Sequence, residues 1–169
     1  MSPWIFHIEL PILGSWHTVE VLRTTLLNCL ATVFESQTYC ETLGMISAEL
    51  LENAIKYGQR IPTAGEPAFR LKVTGTKDRV EIAVSNPVDR ASAGLDRLFT
   101  LLADLAVDGA AERVYLEKLR AVAADPTATG GLGLARIVYE SGCSLSAVVG
   151  PNGVLEVKAV SAAGVRVAA

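Results

Sequence analysis

Two stretches of the chain alternate apolar and polar residues on either side of a short turn, and that pattern dictates antiparallel pairing. In the first, Phe69, Leu71 and Val73 alternate with charged or polar residues, TGTKD at 74–78 reverses the chain, and Val80, Ile82 and Val84 resume the alternation before Pro87. In the second, Leu145, Ala147 and Val149 lead into Pro151-Asn152-Gly153, and residues 154–160 return. A period of two puts alternate side chains on one face of a strand, and so short a turn lays the returning strand beside the first. Each hairpin has an apolar face that another layer must cover. A third alternating segment carries Trp4, Phe6, Ile8 and Leu10 on one face, and Pro11 and Gly14 are expected to end it.

The covering layer is supplied by segments of helical period. Val19, Leu22, Leu26, Leu30 and Val33 recur every three or four residues, which predicts an amphipathic helix over about 16–35. A second helix is expected over about 41–57, ended by Gly58 in a left-handed turn. Leu95, Leu98, Leu102 and Leu105, then Val114 or Tyr115, Leu119 and Val122, make 91–122 either two helices or one bent one, with a break near Asp108 and Gly109. DPTATGG at 125–131 is a turn-rich connection, and LGLARIVYES reads as a short helix entered through glycines. The resulting order predicts an α+β fold: a two-layer sandwich whose mixed, largely antiparallel sheet carries its helices on one face.

The chain has 169 residues, enough for one domain with a real core and too few for two comfortable ones. One unit over 1–169 is expected, with a helical insert at about 91–124 and no internal repeat. Fifteen Lys and Arg against eighteen Asp and Glu give a formal charge of −3, without a basic block suited to a phosphate backbone, so nucleic acid is not expected as a partner. Charges interrupt every apolar run before membrane-spanning length, and no basic stretch precedes an apolar run at the amino terminus, so the expectation is a soluble, cytoplasmic protein. Cys29, Cys40 and Cys143 are far apart and lack metal-ligand spacing; they are expected to be small buried side chains. Ser85, Ser141 and Ser144 lack the His and Asp of a hydrolase triad, and His7 and His17 lack a partner at metal spacing. Asp89 and Asp96 fit either a pocket mouth or a solvated face.

Within SAELLENAIKYG at 47–58, Glu49 and Asn53 are four residues apart, Lys56 follows Asn53 by three and Tyr57 by four, so all four project near one another on a helix. Ile46, Leu50, Leu51, Ala54 and Ile55 form the buried complement. One reading is a solvated face with a Glu near a Lys. The other is chemical: Asn is a poor helix former in mid-helix, its amide oxygen suits a magnesium shell, a carboxylate one turn away can take a proton from a hydroxyl, and a Lys can meet phosphate charge. TGGLGLARIV at 129–138 adds Gly130, Gly131 and Gly133 before a helix, where close backbone approach and unpaired N–H groups suit phosphate, although such clusters also simply turn a chain. Neither a P-loop nor a full GxGxxG is present.

ELLENAIKYG at 49–58, a strand ending SNP, and GGLGLARIV at 130–138 together resemble the GHKL ATP-binding fold of histidine kinases, gyrase-type ATPases and bacterial anti-sigma serine kinases. The first motif is similar to that family's N box and the second to its G2 phosphate box. The segment from NPVDR to GLGLARIVYESG is similar to the SiaB type of protein kinase within the anti-sigma and partner-switching branch. The resemblance implies ATP and Mg2+ as cofactors and phosphorylation of a Ser or Thr on a STAS-domain anti-sigma-factor antagonist or a SiaC-like protein. It also implies possible contact with a sigma factor, and homodimer pairing through the first strand with Trp4 and Phe6. It makes Glu49 the catalytic base, Asn53 the magnesium ligand, Lys56 a phosphate contact and Tyr57 a border of the nucleotide. Gly130, Gly131 and Gly133 hold the phosphates through backbone contacts, with Leu132 and Leu134 packing between them. Asn86 stands where the family has an Asp that accepts from the adenine amino group, and Val154 or Leu155 where relatives often have a Thr, so base recognition is expected to be weakened or altered. The hydrophobic insert replaces a Gly-rich lid. A binding module that has lost useful ATP affinity and acts on its partner by docking is the alternative the same departures allow.

Overall fold

A computed structural model of the chain describes residues 6–12, 16–58, 69–76, 78–128 and 130–162. Strands β1 (Phe6–Ile12), β2 (Phe69–Gly75), β3 (Arg79–Pro87), β4 (Ser144–Val149) and β5 (Val154–Ala162) form one sheet. Helices α1 (Trp16–Ala31) and α2 (Gln37–Tyr57) separate β1 from β2, and α3 (Ala93–Leu105), α4 (Ala111–Ala124) and α5 (Leu132–Ser141) separate β3 from β4.

The sheet order is β1-β2-β3-β5-β4, and all four pairings are antiparallel, so the mixed character expected from sequence is not found among the described residues. The reason lies in the connections. Two helices between β1 and β2 send the chain out and back, so β2 enters reversed. Three between β3 and β4 leave β4 running with β3, but β5 pairs between them and is antiparallel to both.

Register sorts the two faces. One row crosses all five strands as Ile8, Val73, Ile82, Ala159 and Leu145, and the next contains Leu10, Leu71, Val84, Val157 and Ala147. This face meets Leu43, Ile46, Leu50 and Leu51 of α2 and Ile137 of α5 in the main core. The opposite face carries Glu9 beside Lys72, and Glu81 between Arg79 at 2.9 Å and Lys158 at 3.9 Å. The sequence pattern and the layer agree in that Leu71, Val73, Val80, Ile82, Val84, Leu145 and Ala147 share the face that meets the helices, while Ala83, Val148 and Val160 stand on the opposite face.

Several boundaries differ from expectation for identifiable reasons. Ser36 starts α2 four residues early, because its hydroxyl accepts a hydrogen bond from the Tyr39 N–H at 3.3 Å and caps an otherwise unpaired donor. α1 ends at Ala31, and the ring of Phe34 in the following turn packs edge-on between Phe6 at 5.8 Å and Tyr39 at 5.2 Å. Pro11 does not stop β1, because β1 is an edge strand that needs no N–H there. Gly58 closes α2 with φ −71°, an extended conformation open to any residue. Its lack of a side chain matters for space instead: a Cβ would come within 2.8 Å of Asn86 Nδ2 and of Phe69 Cε1. Cys40 and Cys143 are buried, but Cys29 is exposed on the outer side of α1.

The insert is two helices with the break at 106–110. Leu101, Leu105, Ala110 and Val114 extend the main core, while Leu95 joins Val88 and Leu155 in a smaller cluster. Among the described residues no helix is long and apolar enough to cross a membrane. Trp4, Gly14 and the loop containing Pro62, Gly65 and Pro67 lie outside the described residues, and Phe6 packs inward on Phe34.

Candidate functional site

A cleft of about 990 Å³ opens where the carboxyl-terminal half of α2, the end of β3, the insert and the start of α5 meet. That volume is in the range of small-molecule sites. Leu50, Val84, Val88, Leu95, Leu155 and Val157 give it apolar walls, and charged groups of both signs also line it: Lys56, Arg97 and Lys118 against Asp89, Asp96 and Asp104.

Asn53 and Lys56 of α2 line the cleft together with Gly130 and Gly131. The Asn53 amide nitrogen donates to the Glu49 carbonyl one turn back at 2.6 Å, which leaves its Oδ1 as the ligand-facing atom. This bond also bears on why Asn is tolerated in mid-helix: one of its two amide hydrogens is satisfied locally. Lys56 lies over the Tyr57 ring, with Nζ 5.3 Å from the centroid, and Tyr57 is half-exposed at the rim. Gly131 is the N-cap of α5 with φ +82°, the left-handed region that favours glycine, so the chain turns sharply into the helix, and no side chain caps its first turn. Lys118 of α4 lines the cleft beside Gly131.

Asn86, also in the lining, is 2 % exposed, donates from Nδ2 to the Pro87 carbonyl at 3.1 Å and sits against the end of α2, where a Cβ on Gly58 would stand 2.8 Å from its Nδ2. Asp89 and Asp96 line the cleft as well. Asp89 Oδ1 accepts from the Ala91 N–H at 2.9 Å, which folds the entry to α3.

Three expected residues sit differently. Leu134 lines the cleft and is buried, but Glu49, Leu132 and Gly133 are not among its walls. The Glu49 carboxylate is paired with Arg136 of α5, and it occupies the space a side chain at 133 would need: a Cβ there would stand 2.8 Å from Glu49 Cδ and overlap Oε2. Glycine at 133 therefore makes room for the Glu49–Arg136 pair. Burial pushes the Glu49 carboxyl above the ordinary carboxylate range; Arg136 pulls it down, and Glu52 and Glu140 push it further up. Arg136 Nε is buried without a hydrogen-bond partner, so the pair is held by one side of the guanidinium.

Arg136 and Lys118 were not legible as site residues. Arg136 is 87 positions from Glu49, with no spacing rule to connect them, and Lys118 sits in a run of charges, EKLR, that reads as a solvated helix face. Among the described residues no group of three or more His, Cys, Asp or Glu is placed to hold a metal ion. An amide oxygen such as Asn53 Oδ1 is a ligand type that Mg2+ accepts in a shell otherwise made of water and phosphate oxygen.

No family model matches the chain, and no curated protein matches it. Among solved structures, a chain of the crystal structure of the SiaB–SiaC complex from Pseudomonas aeruginosa has the same fold, with a TM-score of 0.63 and 20 % identity. The match covers 94 % of this chain and 90 % of that one. At that identity the likeness establishes fold.

Proposed function

We propose that the chain is an ATP- and magnesium-dependent protein Ser/Thr kinase of the partner-switching type, acting on a small STAS-domain or SiaC-like partner. The observation that carries this reading is that Asn53 and Lys56 line one cleft with Gly130 and Gly131, although the two motifs are far apart in sequence. The fold neighbour, whose structure is a complex of two proteins, supports the choice of a protein acceptor.

In this reading Asn53 Oδ1 holds magnesium, which supplies charge neutralisation for the triphosphate when bound. Lys56 and the α5 N–H groups hold phosphate oxygens, and the apolar walls take the base, with Asn86 among the lining residues. Glu49 orients the partner's hydroxyl and accepts its proton, for which it exchanges Arg136 for the incoming hydroxyl. Catalysis on such a plan is positioning and charge stabilisation.

The second reading, a non-catalytic docking module, draws on two specific observations: Glu49 is engaged with Arg136 away from the cleft wall, and the Asn86 that lines the cleft is uncharged. Two measurements separate them. A ligand that binds only the folded chain raises its melting temperature progressively, with the logarithm of concentration once Kd is exceeded, so millimolar Mg-ATP shifts a nucleotide-binding protein and leaves a docking module unshifted. Labelled ATP incubated with STAS-type or SiaC-like partners then yields a labelled Ser or Thr with the wild type. Glu49→Ala abolishes that transfer while retaining the thermal shift, and transfer undiminished in this variant removes Glu49 as the base.

A further inference from the structure

The two edges of the sheet differ in what they allow to pair with them. β1 presents His7, Glu9 and Pro11 as exposed residues, and charge and proline are common means of keeping an edge from pairing. β4 reads SLSAVV, without a charge or a proline, and among the described residues nothing pairs with its outer side. The direction of its backbone groups follows from the hairpin. The Gly150 N–H donates to the Val154 carbonyl at 2.8 Å, so alternate residues before it, Val148, Ser146 and Ser144, turn their backbone groups to β5. Leu145, Ala147 and Val149 turn theirs outward.

That outward row is complementary to itself. A twofold axis at Ala147 sets Ala147 against Ala147 of a second copy and Leu145 against the second copy's Val149, so that all three residues exchange both of their bonds. A shift of two residues either way leaves one of the three unpaired. In this register the outer face runs across the seam from Glu156 and Val148 to Ser146 and Lys158 of the second copy, so opposite charges flank it. Val148, 59 % exposed in a single copy, gains a cross-strand neighbour. The same register carries the second copy's Gly150 and Pro151 alongside Ser144 and Cys143. There a groove of about 370 Å³ is lined by Val107, Cys143, Ser144 and Leu145, among others, and Val107 is 58 % exposed.

We propose that β4 is a homodimerisation edge. Two copies join β4 to β4 about Ala147, their five-stranded sheets become continuous, and Pro151 of each copy sits at the groove of the other. No β4 residue lines the large cleft, so the seam uses none of its walls. The inference is independent of the nucleotide reading.

Sedimentation velocity of the wild type, Ala147→Pro and Val148→Lys over rising protein concentration, with amide hydrogen exchange read by NMR, tests it. The wild type passes from the mass of one chain toward twice that mass. The amides of Leu145, Ala147 and Val149 gain protection with concentration, about tenfold once about nine-tenths of the chains are paired, while those of Ser146 and Val148, already turned to β5, do not change. Ala147→Pro removes an N–H that only the seam uses. Val148→Lys stands beside Glu156 within one chain but sets two lysines on diagonal positions across the seam. Symmetry counts each change twice, so both variants weaken association by about tenfold or more, with the melting temperature of the dilute protein checking that the fold is kept. If Ala147→Pro does not fold, Val148→Lys decides alone. A wild type that stays monomeric at millimolar concentration overturns the proposal. So does a monomer whose three outward amides are protected at every concentration, because a segment of the chain itself then covers the edge. A dimer that Val148→Lys leaves intact is joined elsewhere and overturns it as well.

Discussion

Gly133→Ala is a small substitution whose sign depends on a single ion pair. In the first turn of α5, Ala is the better helix former, and the exchange alone stabilises by up to about 0.8 kcal/mol. Against this, the added Cβ collides with the Glu49 carboxylate, the flexible end of a side chain, which rotates away and gives up Arg136. Glu49 is 15 % and Arg136 40 % exposed, so their pair lies between the surface case, worth up to about 1 kcal/mol, and the buried case, where breaking it costs about 3–5. About 2 kcal/mol is the reasonable middle, and the net effect is a loss of about 1 kcal/mol, or about 2–4 °C in melting temperature for a chain of this size. In an Arg136→Gln background the pair is already gone, Glu49 is free to move, and Gly133→Ala becomes neutral or stabilising. Urea unfolding of the four proteins of this double-mutant cycle reads the coupling directly. An equal effect of Gly133→Ala in both backgrounds refutes the argument that glycine is there to accommodate the pair.

Other consequences follow from the same contacts. Gly58→Ala drives a Cβ into Asn86 and Phe69 and is expected to cost about 1–3 kcal/mol by urea unfolding; a neutral result means the end of α2 yields without strain. Asn53→Ala keeps or slightly raises the stability of the free chain, since Ala favours the helix, yet loses the magnesium-dependent part of ATP stabilisation in a thermal-shift series. Because burial holds the Glu49 carboxyl above its unfolded value, the folded state binds the proton more tightly. The contribution of Glu49 to stability is thus greatest below the unfolded pKa and declines as pH rises through the raised folded one. Glu49→Gln removes that decline, as unfolding measured between about pH 4 and 8 will report.

The parts of the fold that could be read from sequence are those set by local chemistry. Period-two alternation and short turns located β2–β3 and β4–β5, and the Leu spacing with Asp108-Gly109 separated α3 from α4. Ser36 was passed over because a cap is one hydroxyl in a polar stretch, without periodicity to announce it. The candidate site was legible only in part. Helical spacing put Glu49, Asn53 and Lys56 on one side of α2, but Glu49 lies about 6 Å further back along the helix axis than Asn53, and there it meets Arg136 of α5 while Asn53 and Lys56 line the cleft. Which way each turns depends on Arg136 and on the empty space at Gly133, both fixed by tertiary packing. The glycines share a motif and do different work: Gly131 bends the chain into α5, while Gly133 makes room for a carboxylate.

The central claim, that a metal-bound nucleotide lies between α2 and the start of α5, is tested most directly by amide NMR with Mn2+ in place of Mg2+. In the presence of ATP, the paramagnetic ion is expected to broaden the Asn53 side-chain amide and the backbone amides of Gly130 and Gly131, while Lys72 and Lys158 on the outer face of the sheet stay sharp. Those cleft signals remaining sharp at millimolar Mn-ATP, or broadening only at surface carboxylates distant from the cleft, would contradict it.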